Sequence, residues 1–324
     1  LVFKIYEDED AMVQALRKGE IDAVDSLGGT AFGSLQDVPG ITTVQSKGLA
    51  LSEIGINVGA QTVENKPIGD GHPALLDRTV RQAIAYAVDR NALVDRVLRN
   101  LGTPGSSIIP PAYADIYYTP GPKEYVFDLA KANSLLDGAG YTRGADGIRV
   151  DPNSGRKLEF RLFGREDSEE SKASVQFVQG WLKEIGIDGK VTIMAEDTLT
   201  EVIGQGEYDL FEWGWGVEPD PDFQVSVFTC DQRSYEDGGT VYAGWSDSFY
   251  CNPAYDALYR QQSTQLDRAQ RAATIKQMQD MLYDDVPYVV TYYQDNLQAY
   301  RSDRWTGVIP DASGAIYFGY GTDR

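Results

Sequence analysis

Short runs of apolar, β-branched or aromatic residues alternate along this chain with segments of helical period, and most helical segments open on a capping residue. Ala11 to Lys18 repeats Met12, Ala15 and Leu16 at helical spacing and stops at Gly19. Strand patterns occur at Val2–Ile5, Ile21–Val24, Ile41–Gln45 and Leu51–Val58. A helical pair follows: Val80, Ala83, Ile84, Ala87 and Val88 share one face, and Asp89 caps a second helix that runs through Leu93, Val94, Val97 and Leu98 to Gly102. Thr103 to Pro122 reads as an ordered irregular loop, and Asp128 caps the next helix. Ile148 and Val150 are expected to face Leu158, Phe160 and Leu162 in a hairpin across residues 151–155. Asp167 with Glu170 forms a capping box for a helix through Val175, Val178, Leu182 and Ile185. Strands at Val191–Met194 and Tyr208–Trp215 precede two more helices, opened by Asn252-Pro253 and by Asp267 with Gln270. Val286–Tyr293 is the last strand, with irregular chain to Arg324. Strands and helices in alternation specify an α/β protein with mixed sheets.

At 324 residues the chain has room for two lobes, since a domain usually takes about 100–200. Its 29 basic and 49 acidic residues give a formal charge of −20, a field that repels phosphate backbones and argues against nucleic acid as a partner. The single histidine, His72, lies in the turn sequence Asp70-Gly71-His72-Pro73, so multi-histidine metal sites are excluded and His72 reads as structural or solvated. No nucleotide loop, nucleophile elbow or CxxC pattern is present, and no cofactor is implied. Cys230 and Cys251 are the only cysteines; they are either a disulfide or two separate buried thiols. The opening Leu1-Val2-Phe3-Lys4-Ile5 reads as a buried strand, with the expectation that the chain begins part-way through a larger protein.

Five segments, in order, resemble one family. They are Ala15 to Asp22; Val80-Arg81-Gln82-Ala83-Ile84-Ala85-Tyr86-Ala87-Val88-Asp89-Arg90; Ala130 to Tyr141, ending Leu135-Leu136-Asp137-Gly138-Ala139-Gly140-Tyr141; Trp213 to Phe223; and Asn252-Pro253-Ala254-Tyr255-Asp256 with Asp285-Val286-Pro287. Together they are similar to the family 5 solute-binding receptors, the peptide-, oligopeptide- and nickel-binding receptors of ABC importers. The resemblance implies a class II periplasmic-binding-protein-like clamshell, one lobe complete and the other partial. Residues 1–77 and 291–324 are then expected in lobe I, and 78–290 in lobe II as a continuous insertion. The implied function is an extracytoplasmic receptor, in the periplasm or at the cell surface. It binds a small peptide by hinge closure, hands it to membrane permease subunits, and is monomeric when full-length. The part of lobe I that this chain lacks would carry any signal peptide or lipid-anchoring cysteine, and the extracytoplasmic setting favours a Cys230–Cys251 disulfide.

The loop Trp213-Gly214-Trp215-Gly216-Val217-Glu218-Pro219-Asp220-Pro221-Asp222 is the leading candidate for ligand contact. It follows a strand, its glycines allow close backbone approach, and its tryptophans offer flat apolar faces. Alternation puts Trp213 and Trp215 on one face of the strand, with one of them expected in the core. In peptide-binding members of the family an aspartate in this loop holds the ligand's α-amine; aligned on the Asp-Pro pair, that position falls on Val217, with Glu218 beside it. Glu218 is therefore either the amine anchor or a solvated carboxylate. Asn57 matches a family asparagine at a strand end, and either bonds a ligand or caps a turn. Tyr113, with Tyr117 and Tyr118, lines a cleft or packs. Two other readings stay open: the same receptor type taking an oligosaccharide, glycoside or metal chelate, and a secreted hydrolase using a carboxylate pair such as Glu218 and Asp222.

Overall fold

The computed structural model describes residues 2–309 and residue 316. Its first unit holds α1 (Glu9–Lys18), β1 (Ala23–Val24), α2 (Gly29–Leu35) and β2 (Ile41–Ser46). Asp8 caps α1 by accepting from the Ala11 amide, and Gly19 ends it at φ 72°, a left-handed conformation that suits glycine. The second unit begins at β3 (Ala50–Ile56) and continues through α3 (Arg78–Ala87), α4 (Arg90–Arg96), β4 (Gly102–Pro104) and α5 (Leu129–Gly138). Next come a small ribbon of β5 (Thr142–Arg143) and β6 (Arg149–Val150), then β7 (Glu159–Arg165), α6 (Glu169–Glu184), β8 (Asp188–Met194), α7 (Glu196–Gly204) and β9 (Leu210–Gly216). After α8 (Asp222–Ser226) and the ribbon β10 (Tyr235–Asp237) and β11 (Thr240–Tyr242), the unit closes with α9 (Pro253–Gln262), α10 (Arg268–Asp285) and β12 (Tyr288–Gln294). β13 (Asn296–Arg301) returns to the first unit.

Two sheets organise these elements. The smaller, ordered β1-β13-β2, is antiparallel and packs its apolar face on α1 and α2. The larger has six strands, β4-β12-β3-β9-β7-β8, with β7 parallel to both β8 and β9 and the remaining pairs antiparallel. One face of it joins α3, α5 and α6 in a core containing Ile54, Ile84, Leu136, Phe160, Val178 and Leu210. On the other face, one cluster includes Leu51, Phe228, Tyr255, Met278 and Tyr288, and another includes Phe163, Leu199, Tyr208 and Phe211. Asp77, Asp89, Asp128, Asn252 and Asp267 each accept an amide hydrogen bond at a helix start.

Several expectations are corrected. Residues 2–5 pair with no described strand, and Val2, Phe3 and Ile5 are exposed; an apolar run is not a strand without a neighbouring ladder. Residues 148–162 form no regular hairpin. β6 pairs with β5, Val150 meets Lys157 in an isolated bridge, and β7 lies parallel between β8 and β9. The cap of α6 is Ser168, whose Oγ accepts from the Ser171 amide at 3.0 Å, in place of Asp167. Strand pairing groups the following segments. Residues 50–56, expected with 1–77, and residues 291–294, expected with the tail, are hydrogen-bonded into the six-stranded sheet. Two segments, 47–49 and residue 295, therefore join the units. Asp295 accepts from Gln45 Nε2 at 2.6 Å and lies 3.5 Å from Lys47 Nζ.

Candidate functional site

Parallel strands β7 and β8 end together at Arg165 and Met194, level with Trp213 of β9, which runs on to Gly216 on the side of the sheet where β3 begins at Ala50. The C-terminal edge of parallel strands is where open α/β sheets take ligands. Leu51 stands opposite Trp215, and Glu53 opposite Trp213, so all four side chains share one face. Both tryptophans are half-buried. Trp213 packs with the cluster around Phe163 and Phe211, and the Arg165 guanidinium lies 4.9 Å from its ring centre, a cation–π arrangement. Trp215 packs with the cluster around Leu51 and Tyr288, donates from Nε1 to the Tyr288 hydroxyl at 3.1 Å, and meets Phe223 6.0 Å away. Phe223 in turn contacts the exposed Trp245 edge to face.

Beyond β9 the loop is held by its backbone. The Val217 amide donates to the Leu49 carbonyl at 2.8 Å, and the Val217 carbonyl accepts from the Tyr113 hydroxyl. Val217 is buried, Glu218 is exposed, and Gly216 has open space where a side chain would be. Burial, and then the nearby Glu218 charge, raise the Tyr113 phenol. The other loop acids are engaged: Asp220 receives both Arg271 guanidinium nitrogens at 2.6 Å, and Asp222 accepts from Gln262 at 2.6 Å and Tyr259 at 3.2 Å. Among the described residues no ion pair engages Glu218.

Asn57 is occupied elsewhere. It is buried, donates to the Gly206 and Tyr208 carbonyls at 3.1 and 3.0 Å, and accepts from the amides of Gly59 and Ala60. It clips the end of β3 to the turn before β9 and has no capacity left for a ligand. His72 is likewise structural: Nδ1 accepts from the Ala74 amide, and Nε2 lies 3.0 Å from the Lys157 carbonyl. Tyr117 bonds Ser106 and Tyr118 bonds Asp280. Cys230 and Cys251 are joined in a disulfide, with Cα atoms 4.4 Å apart.

Sequence reasoning missed three residues here. Arg165, at the end of β7, reaches Glu212 at 3.5 Å and leaves its Nε without a partner. Glu212 is buried, and the loss of solvent pushes its carboxyl up to about 7. Glu53 is wholly buried, and burial, reinforced by the Asp247 and Glu212 charges, raises it well above the ordinary range. Close by, a groove of about 250 Å³ separates Gly29, Thr30 and Leu297 of the first unit from Arg99, Glu169 and Glu170 of the second. Among the described residues no helix is long and apolar enough to cross a membrane.

Residues 1–236 match the family described as bacterial extracellular solute-binding proteins, family 5 Middle. The dipeptide-binding protein of Escherichia coli K12 is 24% identical over 323 residues, covering 98% of this chain and 54% of the relative. The fold matches that of the oligopeptide-binding protein of Thermus thermophilus, solved with a pentapeptide. Its TM-score is 0.75 at 24% identity, over 96% of this chain and 53% of that one. It also matches NikA of Brucella suis, solved with Fe(III)-EDTA, with a TM-score of 0.74 at 24% identity, over 97% and 59%. The chain spans about half the length of the relatives it matches. The clamshell class expected from the sequence is thereby established, and the chain belongs to the bacterial extracellular solute-binding proteins of family 5.

Proposed function

We propose that this chain supplies one wall of the cleft of an extracytoplasmic receptor that binds peptides and delivers them to the permease of an ABC importer. In this reading residues 2–46 with 296–309 belong to one lobe and 50–294 to the other, and the lobes close on the ligand about the two joining segments. The observation that carries it is the chemistry at the strand ends. An apolar wall, Trp215, lies on the edge that also presents an under-satisfied guanidinium, Arg165, and an exposed carboxylate, Glu218. A zwitterionic, extended ligand needs a cation for one end, an anion for the other and apolar surface between them. Gly216 leaves room for a ligand backbone, Trp213 stiffens Arg165 from beneath, and Tyr113 fixes the loop rather than touching ligand. The names of the relatives support peptides as the ligand class. Binding fits this site better than carboxylate-pair hydrolysis, because Asp222 is committed to Gln262 and Tyr259.

Calorimetry of the intact protein with free and end-blocked peptides tests the proposal. Glu218→Gln is expected to weaken free-amine peptides by roughly 2–5 kcal/mol, the cost of leaving a desolvated charge without its partner. Unchanged affinity rejects Glu218 as anchor; failure of the unaltered protein to bind any peptide rejects the function.

A further inference from the structure

Glu53 is an anomaly in a strand that otherwise follows simple rules. It is inaccessible to solvent, and neither carboxylate oxygen has a hydrogen-bond partner. An unpaired carboxylate in that setting is costly, and such a group neutralises itself if it can. The charged and titratable groups around it come from every packed element. Asp247 lies in the segment before α9, Tyr288 on β12, Glu212 on β9 and Arg165 on β7. Two are carboxyls, one is a neutral phenol and one is a cation, and that cation, Arg165, already faces Glu212. Among the described residues no cluster of three ligating side chains is present to hold a metal ion. A proton is the remaining counter-charge.

Hydrogen-bond direction extends this to the ligand wall. An indole N–H can only donate, so Trp215 makes the Tyr288 oxygen an acceptor. The phenol hydrogen of Tyr288 is then directed at Asp247 Oδ1. The chain of bonds runs from Trp215 through Tyr288 to Asp247, with Glu53 beside its end. We propose that Glu53 and Asp247 retain a proton between them at neutral pH, and that this proton, acting through Tyr288, positions the Trp215 indole. Glu53 and Asp247 are positioning residues in this account; neither touches ligand. Loss of the proton leaves two negative charges in a desolvated space beneath the indole and makes Asp247 a charged acceptor, so the Tyr288 bond tightens and the Trp215 indole shifts with it. Burial pushing the Asp247 carboxyl up to about 7 agrees with this geometry.

The proton can be read without any ligand. Infrared difference spectra of the intact protein at neutral pH should show a protonated-carboxyl C=O band that weakens in Glu53→Gln or Asp247→Asn. The Trp215 contribution to fluorescence, taken as the difference from Trp215→Phe, should show a transition in the unaltered protein at or above the Asp247 value of about 7. Glu53→Gln removes a like charge from Asp247 and should move that midpoint down by about one unit or more. Absence of the carboxyl band, or a Trp215 signal that is flat with pH, overturns the proposal. So does a midpoint unmoved in Glu53→Gln. Should a variant fail to fold by circular dichroism, the unaltered protein's band and titration still decide. The consequence for binding rests on the ligand-site reading: peptide affinity should change about tenfold across that transition in the unaltered protein, and the change should move to lower pH with the midpoint in Glu53→Gln. A pH-responsive Trp215 with pH-independent peptide affinity would reject that ligand role and leave the proton in place.

Discussion

Asn57 Nδ2 donates to the Tyr208 carbonyl at 3.0 Å, tying the exit of β3 to the entry of β9 across a long stretch of sequence. The same side chain serves the Gly206 carbonyl and two amides; Asn57→Ala takes its bonds from four backbone groups, of which the Gly206 carbonyl keeps the Asp70 amide. It is expected to destabilise the protein by roughly 2–4 kcal/mol, since each buried unsatisfied group costs about 1–3 and some recover water. Urea unfolding checks the stability, and calorimetry on the folded fraction should find ligand affinity unchanged.

Arg149 is the largest of the fully buried side chains. It donates to the Ile185 and Tyr141 carbonyls, to Asp137 and to Asn133, and so pins the β6 segment to the ends of α5 and α6. Lysine supplies a single ammonium in place of the planar fork. Arg149→Lys is expected to cost about 3 kcal/mol, visible as a lower urea midpoint.

Stability should fall as the solution becomes alkaline. Glu212 and Asp247, each raised to about 7 by burial, bind their protons more tightly in the native than in the unfolded chain. Their contribution is complete below the unfolded values and is lost as pH climbs through the folded ones, a window from about pH 5 to about pH 8. Asp220, held low by Arg271, acts in the opposite direction at more acidic pH. Melting temperature against pH measures the slope, and Asp247→Asn should flatten it.

Reducing the Cys230–Cys251 bridge releases a loop with a sequence separation of 21. The chain-entropy model assigns such a closure roughly 3 kcal/mol. Unfolding with and without a thiol reductant, with thiols counted by mass, tests this.

Much of the helical framework could be read directly, because Asp89, Asp128, Asn252 and Asp267 combine a capping side chain with an apolar period that starts immediately after them. α2 escaped because Gly29-Thr30-Ala31-Phe32-Gly33-Ser34-Leu35 has two glycines and no side-chain cap. β7 suggested a hairpin because Leu158, Phe160 and Leu162 alternate beside a turn, whereas its true partners arrive from far along the chain. At the site, alternation correctly placed Trp213 and Trp215 on one face. Arg165 gave no local signal, since its value depends on β7 lying next to β9. Glu53 resembled an ordinary solvated strand position, and its burial comes from β9, β12 and the segment bearing Asp247.

The pairing of β3 with β12 sets Glu53 against Val290, and the pairing of β2 with β13 sets Ser46 against Asn296. Neither contact can form until nearly everything between them has been synthesised, and closing so long a loop has an entropic cost before it returns any stability. The two sheets thus reach their final form within a few residues of each other, late in chain growth. Until then β2 has no partner and β3 has β9 alone, so a chain halted before residue 288 would carry β2 unmatched and one side of β3 open.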